Sequence, residues 1–312
     1  MAHLVWAPLG VARLRRFVES YVQRRSGVEH GLLVVYNGFA LGQDVAAWER
    51  ELVDVPHQTL RLARPVLDLD AYRAVGEQVR AERYCFLNSY SVVLADRWLA
   101  VLSDALDGPG VGLVGATGSW ASMRSLARFD LGLGGPYARV FDDRMAVRMR
   151  LVELAARHAA ESPSARQRWM TRKLRAASRI AEQTRGFSGF PSVHVRTNGF
   201  MIGREALLRM RWDPLVRKVQ AHRMESGPHS LTEQVRLAGE DVLVVSRDGR
   251  ANAPSQWWES GTFWQADQAG LMIADNQTED YAQGDQAMRS FLSRYAWGER
   301  AQPTLVGLGV LA

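Results

Sequence analysis

Directly after the apolar run Tyr84–Leu87 stands Asn88-Ser89-Tyr90-Ser91, an amide and three hydroxyls in a row. Such a run reads as a short buried strand, and open α/β sheets bind their ligands at the carboxyl ends of strands. The tetrapeptide is therefore either a ligand shelf or a polar turn in which Ser91 or Asp96 caps the next helix. A second group, His194, Arg196, Thr197 and Asn198, ends another strand-like stretch. A third is Glu225 in Met224-Glu225-Ser226-Gly227-Pro228, which reads as a loop five residues before Ser230.

The elements that must position these groups are legible as alternating strands and helices. "HLVWAPLG" (3–10), "GLLVVYNGF" (31–39), "HQTLRLA" (57–63), the run before Asn88 and "VGLVGATGSW" (111–120) read as strands. Helical spacing is predicted for 11–27, around Asp44–Leu52, for 70–82 and from Asp96 onward, where apolar residues recur every three to four positions. Continuous apolar strands alternating with helices argue for a doubly wound, mostly parallel sheet. The sheet pattern resumes at "VHVRTNGFMIGREALLRM" (193–210), a strand, a Gly203 turn and a helix. Ser230 and Glu233 have capping-box spacing before another helix, and "EDVLVVSRDG" (240–249) is the last clear strand. The boundaries this implies are 1–136 and 188–253 for two halves of one α/β domain, 137–187 for a helical insertion and 254–312 for an aromatic-rich C-terminal extension.

Composition narrows the classes. With 312 residues, 47% of them hydrophobic and 23% charged, the chain can bury a substantial core, and disorder is not expected outside its ends. Its single cysteine, Cys85, lies within an apolar strand; it cannot form an intramolecular disulfide and reads as a small buried hydrophobe. No apolar run approaches the roughly 20 residues that cross a bilayer, and the N-terminus lacks a signal-peptide pattern, so the expected location is cytoplasmic. The net charge of +6 is almost all arginine, with lysine only at 173 and 218. Residues 137–186 hold twelve Arg or Lys against five Asp or Glu, so this segment carries +7 and the remainder −1. Two helical stretches, 137–160 and 164–185, account for it. An anionic membrane surface, a protein partner or plain solvation would each suit such helices. A nucleic-acid partner is not expected, because no recognisable nucleic-acid module accompanies the charge, and a nucleic-acid-binding protein using these helices ranks only as a lesser alternative. "APLGVARL" contains no G-x-G-x-x-G, which argues against a dinucleotide-binding oxidoreductase, and no glycine-rich basic loop of the kind expected for a nucleotidyltransferase.

In order, these motifs resemble the inverting family-two glycosyltransferases with the GT-A fold. "HLVWAPLG" stands where that family has its first strand and a Pro-containing loop, so Pro8 would border the donor site. "GLLVVYNGF" stands at the strand ending in Asp-Asp-Gly-Ser, which would put Tyr36 and Asn37 near the nucleotide base. "RYCFLNSYS" stands at the strand ending in Asp-x-Asp, which would make Ser89, Tyr90 and Ser91 donors to a diphosphate and let Asn88 ligate a metal through its carbonyl or hydrogen-bond a ribose. The resemblance implies a nucleotide-sugar as donor substrate, a glycan or lipid-linked acceptor, and a role in cell-surface polysaccharide or glycolipid assembly, peripheral at the inner face of the membrane. It also implies Mg²⁺ or Mn²⁺, but an amide and a phenol replace the carboxylates a hard cation wants. Asn88 or His194 is the most this chain offers a metal, and His194 equally fits a hydrogen-bonded core residue.

For the remaining roles, the resemblance gives Glu225 as the base, with Asp241, at the head of a strand, as a rival. Arg196 would neutralise the departing diphosphate, and Asp68 and Asp70 fall where the family contacts the nucleotide, although Asp70 can instead cap a helix from Ala71. Thr197, Asn198, Trp257 and Trp258 are candidates for the acceptor side, the two tryptophans equally for packing the tail. With both donor motifs stripped of carboxylates, a non-catalytic nucleotide- or glycan-binding protein of the same fold is the alternative from another class.

Overall fold

The computed structural model describes residues 1–40, 42–160, 186–213, 215 and 217–303. The second basic stretch expected at 164–185 therefore lies outside the described residues. The strands are β1 (Ala2–Trp6), β2 (Leu33–Asn37), β3 (Gln58–Arg61), β4 (Arg83–Leu87), β5 (Val92–Val93) and β6 (Val111–Gly115). They continue as β7 (Gly118–Ser119), β8 (His194–Val195), β9 (Phe200–Gly203), β10 (Asp241–Val245), β11 (Ala251–Asn252) and β12 (Ile273–Ala274).

Eight of them form one sheet in the order β11-β10-β6-β9-β4-β1-β2-β3. The pairs β1–β2, β2–β3, β1–β4 and β6–β10 are parallel, while β9 runs antiparallel between β4 and β6 and β11 is an antiparallel edge. The expected doubly wound, mostly parallel α/β architecture is what the chain adopts. One sheet joins the segments 1–136 and 188–253, because β9 from the second is wedged between two strands of the first.

Period-two alternation sorts the strand residues onto two faces. Leu4, Val35, Phe86, Ile202 and Val242 face one core with the helix Asp68–Gln78, through its Leu69, Tyr72 and Val75. Val5, Val34, Tyr36, Cys85, Leu87 and Met201 face the other, with the helices Val11–Gln23 and Trp98–Leu106. Cys85 is buried and burial pushes its thiol up to about 12, in keeping with its reading as a small hydrophobe. β1 lies between β2 on one side and β4 on the other, so the chain leaves it in both directions. The carboxyl ends of β1 and β4 thus flank the topological switch point, where such sheets open a crevice.

Three local readings change. The helix expected from Asp96 begins at Trp98; neither Ser91 nor Asp96 caps it, and the Asp96 carboxylate instead accepts the Arg25 N–H at 2.9 Å. The stretch 193–210 turns from strand to helix at Gly203 as expected but also breaks at Arg196–Gly199. Gly199 holds φ at +68°, and a Cβ there would lie 3.0 Å from Ile273 and 3.1 Å from Ala116. The aromatic tail is part of the first core: Trp257, Phe263 and Trp297 are fully buried in it, and β12 pairs with β5.

One buried polar group stands out in β1. His3 stacks on Phe17 with ring centroids 3.6 Å apart and planes 5° off parallel, and neither ring nitrogen has a hydrogen-bond partner among the described residues. Burial pushes its pKa from 6.5 down to about 3. The unfolded chain therefore takes up this proton first as the pH falls. The stability His3 contributes is complete above pH 6.5 and is lost on the way down to about 3. A loss of roughly 3 kcal/mol is expected by pH ~4 from this group alone. Urea unfolding at several pH values should show that His3→Phe, which cannot titrate, flattens this part of the acid limb.

Candidate active site at the carboxyl edge of the sheet

The turn after β4 is held by Asn198. Its Oδ1 accepts the Asn88 N–H at 3.1 Å and the Ser91 hydroxyl at 2.5 Å, and its Nδ2 donates to the Ala274 carbonyl at 3.4 Å. Asn88 Oδ1 in turn accepts the Tyr90 N–H at 2.9 Å and the Ser91 hydroxyl at 3.4 Å, an Asx turn. Ser89 Oγ accepts the Trp6 N–H at 3.0 Å, fastening this turn to the end of β1. Ser91 and Asn198 are thus buried scaffold rather than donor and acceptor contacts. What the turn leaves at the switch point is Pro8, which is exposed, the amide nitrogen of Asn88, and the half-buried Tyr90 ring with the Arg13 guanidinium 4.9 Å from its centroid.

The β2 exit is also spent on structure. Tyr36 is buried in the second core and its hydroxyl donates to Glu49 at 2.6 Å, so it does not reach the edge. Asn37 is fully buried and clamps the Val66 peptide from both sides: its Nδ2 donates to the Val66 carbonyl at 2.9 Å and its Oδ1 accepts the Val66 N–H at 3.0 Å. This latch sets the start of the helix Asp68–Gln78. Asp68, in its first turn, is solvent-exposed although protein atoms surround its carboxyl. Asp70 is also in that first turn, since the helix begins two residues before it, and so it is not the residue that caps it.

Glu225 is not in a loop. It lies on the last turn of the helix Lys218–Ser226, where Lys218, His222 and Glu225 share one face at helical spacing. The Ser192 hydroxyl donates to the Ser226 carbonyl at 2.8 Å and so ties this helix end to the chain entering β8. The Ser230 cap expected next is present, accepting the Glu233 N–H at 3.2 Å. Glu225 Oε1 accepts the Thr197 hydroxyl at 3.4 Å, and Oε2 lies 3.6 Å from His222 Nδ1. Burial alone would raise the Glu225 carboxyl, but the His222 contact and the Arg196 charge outweigh it and hold the group well below the usual carboxylate range. His194 is buried, with Nδ1 2.7 Å from the Ser192 carbonyl, and burial keeps its pKa low against the pull of Glu225. The hold on Glu225 is therefore mainly the His222 contact and the Arg196 charge.

Arg196 crosses the same space. Its guanidinium lies 4.4 Å from the Phe263 ring centroid and 3.9 Å from Asp275, while its Nε is buried without a partner among the described residues. Asp275 is already engaged as the cap of the helix Asn276–Gln283, so the ion pair leaves Arg196 with unused donors. Thr197 closes the row through its contact with Glu225, and its carbonyl accepts the Tyr72 hydroxyl at 3.2 Å. Trp257 takes no part: it is fully buried and donates to the Asn252 carbonyl at 2.9 Å. Trp258 is partly buried, with Arg300 5.2 Å from its ring. Asp241 begins β10 as an exposed residue. Lys218, His222 and Asp275 are the site residues the sequence reading missed. The spacing Lys218-x₃-His222-x₂-Glu225 would have flagged two of them had the segment been read as a helix.

Few ligands for a divalent cation converge here: the amide oxygen of Asn88 already accepts from Tyr90 and Ser91, His194 has its Nδ1 at the Ser192 carbonyl and only Nε2 to offer, and no group of three His, Cys, Asp or Glu converges among the described residues. The positive charge beside Glu225 is that of Arg196.

The two carboxylates respond oppositely to the same enclosure. Burial pushes Asp68 up from 3.8 to about 6, with Glu225 adding to the rise and Lys218 opposing it. A carboxyl whose pKa is raised on folding adds stability below 3.8 that is lost as the pH climbs past about 6. Asp68→Asn is therefore expected to melt higher than the parent chain above pH 6 and to lose that advantage as the pH falls toward 3.8, with solvent at Asp68 damping the size of the effect. Melting temperatures across this range check it.

No family model matches the chain, and no curated protein matches it. Among solved structures it is similar to a mannosyltransferase from Pyrobaculum calidifontis in complex with GDP-Man and Mn²⁺, 11% identical over 78% of this chain and 53% of that one, TM-score 0.43. It is similar as well to glucosyl-3-phosphoglycerate synthase from Mycobacterium tuberculosis in complex with Mn²⁺, UDP and glucosyl-3-phosphoglycerate, 14% identical, covering 76% and 63%, TM-score 0.34. A third is a CMP:2-keto-3-deoxy-manno-octonic acid synthetase complexed with CTP, 12% identical, covering 77% and 86%, TM-score 0.36. This chain spans about half the length of the mannosyltransferase.

Proposed function

We propose that this protein is a glycosyltransferase that moves a sugar, with inversion, from a nucleotide-sugar donor to a hydroxyl of a glycan or lipid-linked acceptor. The observation that carries the reading is the placement of Glu225 at the carboxyl edge, 3.4 Å from the Thr197 hydroxyl and 3.6 Å from His222, with an under-occupied Arg196 beside it. A base and a cation side by side are what sugar transfer from a diphosphate needs.

In this reading the donor lies over the switch point, between Pro8, the Asn88 amide, Tyr90 and Asp68, with its diphosphate toward Arg196. The acceptor hydroxyl replaces Thr197 at Glu225. Its oxygen attacks the anomeric carbon as the bond to the diphosphate oxygen breaks. The electron pair leaves on the phosphate, where Arg196 meets the new charge, and the proton passes to Glu225. Because Glu225 is ionised in the free protein, it needs no prior deprotonation. Its low basicity is offset as the cations around it turn toward the leaving diphosphate. Cell-surface polysaccharide or glycolipid assembly is the process such an acceptor suggests.

A second reading, a non-catalytic nucleotide- or glycan-binding protein of the same fold, is favoured by Tyr36, Asn37 and Ser91, which are all consumed by structural hydrogen bonds. Glu225→Gln separates the two. Transfer to an acceptor should fall by roughly 10²–10⁴-fold, while the donor's Kd, measured by calorimetry, changes little. Full activity in the variant would remove Glu225 as the base, and donor binding without turnover in the parent chain would favour the second reading.

A further inference from the structure

The helix Arg144–Ala160 is apolar on two opposite faces. Val147, Leu151 and Leu154 turn inward, Val147 buried and the other two packed on the first core. On the far side Met145, Met149 and Val152 repeat at i, i+4 and i+7 and are 65%, 65% and 49% exposed. At 100° per residue the two stripes lie nearly opposite, with arginines along the flanks between them: Arg144 and Arg148 on one, Arg150 and Arg157 on the other. Arg150 and Arg157 pair with Glu153, whereas Arg144 and Arg148 make no ion pair among the described residues. The patch extends beyond the helix, because the Arg144 guanidinium reaches Gly132, and Leu131 and Leu133 on either side of that glycine are 47% and 56% exposed.

We propose that this face, Leu131, Leu133, Met145, Met149 and Val152 with their arginine rim, docks on an anionic lipid surface, the aliphatic side chains entering the headgroup boundary. A helix with one face in protein and its other apolar face outward, edged by arginine, matches an interface that is apolar within and anionic at its rim. The charge distribution selects the lipid over other occupants. Residues 137–160 hold five arginines against three carboxylates, and Arg144 and Arg148 flank the aliphatic stripe, so the field of an anionic membrane would favour this face. Contact with a second copy would bring the same arginines together. No helix among the described residues is long and apolar enough to cross a membrane, so the attachment is peripheral. The basic segment alone would adhere only electrostatically; the aliphatic stripe is what makes the contact resistant to salt.

The test uses the full chain and sedimentation with vesicles of phosphatidylcholine alone or mixed equally with phosphatidylglycerol. Sedimentation with the mixed vesicles only is expected, and part of it should survive high salt. The variant Met145→Ser/Met149→Ser/Val152→Ser, in which all three positions are solvent-exposed, should keep the parent melting temperature. It should bind the mixed vesicles at least about tenfold more weakly. Arg144→Glu/Arg148→Glu should weaken binding by a similar factor at low salt. A solvent-sensitive fluorophore on Met149→Cys should shift to the blue on mixed vesicles. No sedimentation, equal binding by the serine variant, an unshifted fluorophore, or a dimer in solution that the serine variant dissolves would each overturn the proposal.

Discussion

The amide of Asn198 is the constraint on which the carboxyl edge depends. β9 is the antiparallel strand between β4 and β6, and the residues just before it must arrive at the same edge where β4 leaves. Asn198 makes that meeting specific by accepting both the Asn88 N–H and the Ser91 hydroxyl. Buried and fully engaged, such a network rigidifies its surroundings and is costly to leave partly satisfied. Its position also fixes where the two preceding residues go: Thr197 toward Glu225, and Arg196 across Phe263 toward Asp275.

Electrostatics then divides the labour. Glu225 and Asp68 are carboxylates whose charges act on each other. His222 and Arg196 keep Glu225 ionised, whereas Asp68, opposed by Glu225 and relieved only by Lys218, is pushed up. Pairs of titratable groups driven apart by their surroundings are a hallmark of sites that move protons. The positive charge at this edge is built from side chains, Arg196 on β8's exit foremost.

Much of the fold was legible because β1, β2, β4, β6 and β10 are apolar runs closed by polar or glycine-containing exits, a signal that buried parallel strands give strongly. The antiparallel run of β9 was not legible, since its direction is set by packing between β4 and β6. Glu225 was singled out but placed in a loop, because Lys218–Ser226 buries only Met224 and so lacks helical periodicity. Tyr36, Asn37 and Ser91 were read as ligand contacts for the same reason in each case. Sequence marks a polar residue at a strand end, but only three-dimensional structure reveals that Glu49, Val66 or Asn198 already satisfies it. The tail resisted assignment because it folds through turns with left-handed Trp264, Ala266 and Gln268 and buries its aromatics individually.

The central claim is that this edge holds a nucleotide-sugar through side-chain cations. Its most direct test is the melting temperature of the protein with UDP-, GDP-, dTDP- and CMP-sugars, each in Mn²⁺, in Mg²⁺ and in EDTA, since ligand binding to the folded state raises it. The account predicts a rise with one nucleotide that persists in EDTA and is lost in Arg196→Ala. A rise seen only with a divalent cation, or none with any donor, would contradict it.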